Sequence, residues 1–258
     1  MKANYRKQFR PKKSQLIAGR KRVFEAIAAG KHLERIYLDQ LAHGEEINAL
    51  KRAAADHLIP VNKVPVEKLN SFHVPDHEGC LALVAKIQYQ DLQQVISFIV
   101  EQGKTPLFLI LDGITDVRNI GAIGRTAYCC GVHGLIIPDK GVGAINEDAI
   151  TTSAGALEKI AVCRTDSLPK AIEELHLNGI RVAASEMSAA KKLYELDLTE
   201  PFAIIMGSED KGIQPNLLRI ADEQFSIPMT GHFESLNVSV AAGMILYEAM
   251  KQRMFALP

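Results

Sequence analysis

An asparagine and an arginine stand six residues apart in Val117-Arg118-Asn119-Ile120-Gly121-Ala122-Ile123-Gly124-Arg125-Thr126-Ala127, shortly after the apolar run Leu107–Leu111. An amide can hold a nucleotide, and a guanidinium can clamp phosphate or ribose oxygens through two parallel N–H groups. Glycines after a strand also suggest a phosphate cradle. The spacing here is G-x-x-G, however, neither the dinucleotide fingerprint G-x-G-x-x-G nor a P-loop closed by G-K-[ST]. A structural reading serves equally well, with the glycines as close-packing points of a helix and Arg125 lying along the surface. A second cluster runs from Ile204 to Ile213, where Gly207 would let backbone approach a ligand and Glu209 could accept from a cation or hydroxyl. An ordinary solvated turn accounts for it almost as well. The third cluster joins Ile227-Pro228-Met229 to Ser235-Leu236-Asn237-Val238. Ser235 reads as the N-cap of the last helix, which leaves Asn237 without a structural reason.

Elements must hold these residues together. All three clusters follow predicted strands, and open α/β sheets bind ligands beyond the carboxyl ends of their strands. Strands are predicted at 107–111, 134–137, 160–163, 180–184, 202–206 and 224–227, separated by segments of helix length. Continuously apolar strands in that rhythm specify a parallel sheet covered on both faces. The last and longest helix is predicted at 236–253. Upstream, the pattern gives a helix at 16–30, a strand at 35–38, a helix at 45–55, a strand at 59–61, a short helix near 66–71 and a strand at 80–85. The chain thus divides into a basic arm (1–14), a small α/β domain (15–88), a linker (89–105) with an amphipathic stretch at 92–100, and a larger α/β domain (106–258).

The 258 residues are 47% hydrophobic, enough for a real core. No run reaches the roughly 18 to 20 apolar residues that span a bilayer, and the basic N-terminus lacks a signal-peptide core, so the expected setting is the cytoplasm. Cys80, Cys129, Cys130 and Cys163 form no C-x-x-C pair and have no histidines at zinc spacing, so buried free thiols and no metal are expected. Net charge is zero but unevenly spread. Residues 1–90 carry 16 basic and 9 acidic side chains, and the remainder 14 and 21, or +7 against −7. Residues 1–22 hold nine basic residues and no acid, a segment suited to a polyphosphate backbone.

Taken together, Asn119-Ile120-Gly121-Ala122-Ile123-Gly124-Arg125-Thr126-Ala127, Ile204 to Ile213, and Ile227-Pro228-Met229 with Ser235-Leu236-Asn237-Val238-Ser239-Val240-Ala241 resemble the three ordered motifs of the SpoU family of RNA ribose 2′-O-methyltransferases. The resemblance covers 107–253. Gly19 to Ile27 and His77 to Val84 are similar to the ribosomal-protein-L30e-like substrate-binding domain that precedes the catalytic domain in many members. The resemblance implies a deep trefoil knot of the SPOUT type, S-adenosylmethionine as cofactor, an RNA substrate and a homodimer. Carried over by motif, the cofactor would contact Gly207, Ile227, Met229, Ser235 and Leu236, while Asn119, Arg125, Glu209 and Asn237 would form the catalytic centre, Arg125 reaching a site shared with the other subunit. In its two-domain layout and length the chain most resembles members that methylate a guanosine of 23S rRNA, which implies that target, with tRNA as the alternative. A non-catalytic RNA-binding or ribosome-assembly protein and a dinucleotide-dependent oxidoreductase are disfavoured, the first by the intact polar set and the second by the missing glycine fingerprint.

Methylating a ribose 2′-hydroxyl requires proton removal and close alignment of donor and acceptor. The resemblance assigns the base role to Arg125, but a guanidinium with a pKa above about 12 is a poor base. A clamp on phosphate or ribose oxygens that also stabilises developing alkoxide suits it better, the proton passing to phosphate, water or a transiently neutral Arg125. Glu209 would orient Arg125 or a nearby donor, and Asn119 and Asn237 would fix backbone and nucleotide. Many members carry Asp-Pro-x-Asn where this chain has Asp116-Val117-Arg118-Asn119, a turn expected to be less rigid. RNA affinity is expected to reside in the arm and the first domain.

Overall fold

The computed structural model describes residues 15–231 and 235–255, which fall into two units meeting at Ala85 and Lys86. In chain order the first unit comprises β1 (Leu16–Ala18), α1 (Arg20–Ala28), β2 (Leu33–Asp39), α2 (Glu45–Asp56), β3 (Val61–Val64), α3 (Val66–Asn70) and β4 (Cys80–Val84). Its sheet has the order β1-β4-β2-β3, with β2 and β3 parallel and the other pairs antiparallel. The amphipathic helices α1 and α2 bury Val23, Ile27, Ile47, Leu50 and Ala54 against Leu33, Ile36, Leu38 and Cys80.

The helix predicted at 16–30 begins only at Arg20. Leu16-Ile17-Ala18 pairs instead with Leu83-Ala82-Leu81, and Gly19, at φ 94°, turns the chain from strand to helix. Three apolar residues fit either period, and the β4 edge decides between them.

The second unit continues with β5 (Tyr89–Gln90), α4 (Leu92–Glu101), β6 (Leu107–Leu111), α5 (Val117–Cys129), β7 (Gly134–Pro138), α6 (Glu147–Thr152), β8 (Ala161–Thr165), α7 (Leu168–Leu177), β9 (Arg181–Ser185), β10 (Phe202–Met206), α8 (Pro215–Ile220), β11 (Glu223–Phe225) and α9 (Val238–Phe255). The segment read as a linker is part of this unit. Tyr89 and Gln90 add a strand beside β8, and α4 buries Leu92, Val95, Ile96 and Ile99. Its amphipathic stripe was visible, but a two-residue strand is too short to register.

Seven parallel strands form the sheet in the order β11-β9-β10-β6-β7-β8-β5. Both faces are covered, which is why β6 is apolar throughout. Leu107, Leu109 and Leu111 pack with α5, α6 and α9, while Phe108 and Ile110 face α4, α7 and α8. After β6 the chain moves outward through β7 and β8, then returns past β6 to lay down β9 and β10. The order therefore reverses between β6 and β10, and at such a switch point the loops leaving adjacent strands diverge and leave a crevice. Arg253 secures the far end of α9 by donating to the carbonyls of Thr105, Pro106, Leu198 and Glu200 at 2.7–3.0 Å. Burial brings its pKa down to about 10.

The cysteines are free, as expected, but only Cys80 and Cys163 are buried, where burial pushes both thiols up to about 12; Cys129 is exposed. Among the described residues no helix is long and apolar enough to cross a membrane, and no cluster could hold a metal. The arm at 1–14 lies outside the described residues. Deleting 1–22 would also remove β1 and the first turn of α1, so the informative truncation stops at Ser14. That deletion removes Lys2, Arg6, Lys7, Arg10, Lys12 and Lys13, six of the nine basic residues. It should weaken RNA binding and flatten the slope of log K against log salt while leaving Tm unchanged; deletion of 1–22 should lower Tm as well. Filter binding across a salt series, with thermal melts, checks both.

Candidate active site

Asp116 starts α5. Its carboxylate accepts from the N–H of Arg118 at 2.8 Å, and that bond holds its carboxyl below the usual carboxylate range. Val117 therefore occupies the first helical position, the one site where proline fits a helix without losing a hydrogen bond. The Asp cap defines the turn, so valine in place of the family's proline leaves the helix start intact. Arg118 is 78% exposed and pairs with Asp116.

The glycines of α5 are close-packing points. A Cβ on Gly121 would lie 2.7 Å from the Ala149 carbonyl oxygen, and one on Gly124 would lie 2.5 Å from Leu157 Cδ2. They let α5 sit against α6 and the turn at Ala156–Glu158. Neither forms a phosphate cradle.

At the switch point the three motifs meet on one oxygen. Glu209 Oε1 accepts from Asn237 Nδ2 at 2.6 Å, from the Val238 N–H at 3.1 Å and from Asn119 Nδ2 at 3.2 Å. Asn237 Nδ2 also donates to Asn119 Oδ1 at 3.2 Å. Asn237 Oδ1 accepts from the N–H groups of Ser239 and Val240, at 3.0 and 3.4 Å, and from the Ser239 hydroxyl. Asn237, not Ser235, is thus the cap of α9, and one amide serves both the helix start and the site. Arg125 lies apart from this cluster. It is exposed on another face of α5, and among the described residues it has no hydrogen-bond or ion-pair partner. Glu209 does not orient it within the chain.

Beside the cluster is a cavity of about 340 Å³ whose lining includes all five residues expected to hold the cofactor, Gly207, Ile227, Met229, Ser235 and Leu236, together with Glu209. Met206, Val238 and Ala241 add apolar wall, and Ser185, Glu186 and Met187 close the side beyond β9. These last three were missed, although their place just past a predicted strand end was a usable signal. Gly207 is what makes the cavity possible. The 208–212 segment folds back in a tight loop, with Ser208 and Gly212 exchanging backbone hydrogen bonds at 2.9 and 3.2 Å. A Cβ on Gly207 would lie 2.2 Å from Gly212 C and 2.4 Å from Ile213 N, both backbone atoms that no rotamer change can move aside.

The Asn237–Glu209 contact gives a pH-dependent test. In Asn237→Asp the cap acceptor survives, but a carboxylate oxygen replaces the donor that faces Glu209 Oε1. The pair then shares a proton, raising one folded-state pKa above its unfolded value near 4, so the relief this gives is complete at low pH and lost as pH rises through the raised value. Relative to wild type, urea unfolding should show a loss of roughly 0.5 kcal/mol at pH 8, small because both groups are exposed, and almost none at pH 4.

A family model described as the SpoU rRNA Methylase family matches residues 106–247, and one described as RNA 2′-O ribose methyltransferase substrate binding matches 16–90. A putative TrmH family tRNA/rRNA methyltransferase of Staphylococcus aureus is 36% identical over 238 residues, 92% of this chain and 96% of that protein. The crystal structure of an RNA 2′-O ribose methyltransferase superposes with a TM-score of 0.55 at 26% identity, covering 93% of this chain and 90% of that one. The SpoU methyltransferase AviRb of Streptomyces viridochromogenes, in complex with the cofactor AdoMet, gives a TM-score of 0.60 over 93% of this chain and 91% of that one. At 22% identity, that likeness speaks for the fold alone. With both family models and a relative of matching length in agreement, the chain belongs to the SpoU rRNA Methylase family.

Proposed function

We propose that this RNA ribose 2′-O-methyltransferase, whose methyl donor is S-adenosylmethionine, acts as a cytoplasmic homodimer on a guanosine of 23S rRNA. The observation that carries the chemistry is the meeting of Asn119 and Asn237 on Glu209, which itself lines the cavity together with Gly207. The cavity fits the donor in kind. It offers backbone and apolar walls from Met206, Ile227 and Leu236, and carboxylates from Glu186 and Glu209 that complement a cation. Bound there, S-adenosylmethionine supplies a methyl group on a positively charged sulfur.

The chain's own residues do the rest. Glu209 ties the 207–213 loop to α9 and to α5, so the cavity rim and the nucleotide-facing amides move as one body. Asn119 and Asn237 each donate to and accept from neighbours in that body, which fixes their amide orientation toward an incoming ribose. Arg125, exposed and unpaired among the described residues, is free to clamp phosphate or ribose oxygens and to stabilise alkoxide as the hydroxyl attacks.

A homodimer is supported by the surface around Arg125. Tyr128 on α5 and Val240, Met244 and Tyr247 on α9 are large, exposed hydrophobic residues on two helices that pack together. Covering them with a second copy would bring its own loops toward Arg125 and complete the centre. The trefoil knot belongs to the same reading. It is supported by the late insertion of β10 between β6 and β9 and by the tight 207–213 loop.

Mass-spectrometric mapping of 2′-O-methyl sites in RNA from a deletion strain tests the reading. Loss of one 23S guanosine methyl bears it out, and loss of a tRNA methyl moves the target to tRNA. For the mechanism, Arg125→Lys keeps a charge but not the two-pronged geometry, and should lower kcat at least 10-fold with S-adenosylmethionine binding unchanged. Wild-type turnover in that variant would remove the clamp.

A further inference from the structure

The carboxyl end of β6 carries Asp112, only 3% exposed. A carboxylate buried to that degree is costly unless its oxygens are occupied. Both are, and by a single residue 102 positions away. Oδ2 accepts from the backbone N–H of Gln214 at 2.7 Å, and Oδ1 accepts from its side-chain Nε2 at 2.6 Å. Asp112 is itself fixed, because its N–H donates to the Met206 carbonyl at 2.8 Å, one step beyond the β10–β6 ladder.

Gln214 is where the loop that leaves β10 ends and α8 begins. That loop starts at Gly207, where an added Cβ would run into Gly212 and Ile213, and carries Glu209 in its middle. Its first residue is anchored by β10, its middle by α9 and α5, and its last by Asp112. Gln214 is the exposed N-cap residue of α8, and its side chain makes no capping hydrogen bond. Beside the buried Ile213 side chain, its two hydrogen bonds to a buried carboxylate tie the end of the loop to the sheet.

We propose that Asp112 is a positioning residue for methyl transfer, acting through Gln214 to hold the Gly207–Ile213 loop closed around the cofactor cavity and to keep Glu209 in register with Asn119 and Asn237. The inference rests on the methyltransferase reading of that cavity. Removing the carboxylate leaves Gln214 N–H without its acceptor and the loop with one anchor fewer, so the cavity wall opens while the sheet beneath it stays formed. Asparagine preserves the tie. Its Oδ1 takes the backbone N–H and its Nδ2 donates to Gln214 Oε1 once that amide turns over.

The test uses the full chain with S-adenosylmethionine as probe, titrated by calorimetry. It is paired with hydrogen exchange of the 207–214 segment and with KM and kcat on transcribed 23S rRNA fragments. Asp112→Ala should weaken binding and raise KM for S-adenosylmethionine roughly 10-fold, with a smaller change in kcat. Exchange should speed up in 207–214 but not in β6. Gln214→Ala, which keeps the backbone bond and removes only an exposed side chain, should fall between Asp112→Ala and wild type and serves if Asp112→Ala folds poorly. Asp112→Asn should restore wild-type affinity and exchange. Wild-type affinity and exchange in Gln214→Ala, or an Asp112→Asn variant as weak as Asp112→Ala, would overturn the clamp and leave the methyltransferase reading standing. A wild-type chain that binds no S-adenosylmethionine would overturn that reading, and the exchange data would still decide whether the tie exists.

Discussion

One carboxylate oxygen joins three motifs that lie far apart in the sequence of this protein. Glu209 Oε1 accepts from α5 through Asn119, from the residue that caps α9 through Asn237, and from the backbone of α9 through Val238. Glu209 is exposed, so these bonds contribute little to folding stability in solvent. Their value is geometric. A carboxylate accepts from several directions at once, and here each donor comes from a different motif. Because the three donors converge on one oxygen, the motifs are fixed relative to one another although they lie far apart in sequence.

The sheet makes that meeting possible. Had β9 and β10 been added outside β8, the loops after β6 and β10 would stand several strands apart. Because the chain returns to place β10 next to β6, with Phe202–Met206 in register against Leu107–Leu111, the two loops leave adjacent strand ends. Close packing then takes over. Gly121 and Gly124 let α5 settle against its neighbours, and Gly207 lets backbone fold onto backbone. Gly121 and Gly207 remove a Cβ where main chains nearly touch, and Gly124 removes one where the Leu157 side chain packs, in settings that look unlike one another in sequence.

Much of the larger unit was legible from residue order. Strands 107–111 and 202–206 stand as expected, because a run buried on both faces must be apolar throughout and few other structures demand that. The five residues that the family resemblance assigned to the cofactor line one cavity past the strand ends. Errors arose where a neighbour in space made the choice. Leu16–Ala18 is a strand because β4 offers an edge, and Tyr89–Gln90 is a strand because β8 does. Ser235 looked like a cap, but the helix starts at Val238, so the cap oxygen comes from Asn237. No local pattern distinguishes those two positions. Asp112 was passed over for a related reason. A lone aspartate after an apolar strand reads as a solvated turn residue, and only the fold shows that Gln214 covers it.

The free position of Arg125 has a physical logic beside these tied residues. Asn119 and Asn237 must be held, because an amide that rotates exchanges donor for acceptor and loses its meaning to a substrate. A guanidinium presents donors in every in-plane direction and carries its charge at any working pH, so it needs no internal partner to define it. An ion pair with Glu209 would neutralise the charge that draws in a polyanion and would have to break before phosphate could bind. Engaging Glu209 with neutral donors avoids that competition. The arrangement thus divides into a hydrogen-bonded frame that carries the Glu209 carboxylate and, apart from it, an Arg125 guanidinium with no partner among the described residues. A separation of charge also runs along the whole sequence, where positive charge gathers in the first 90 residues and acid in the remainder.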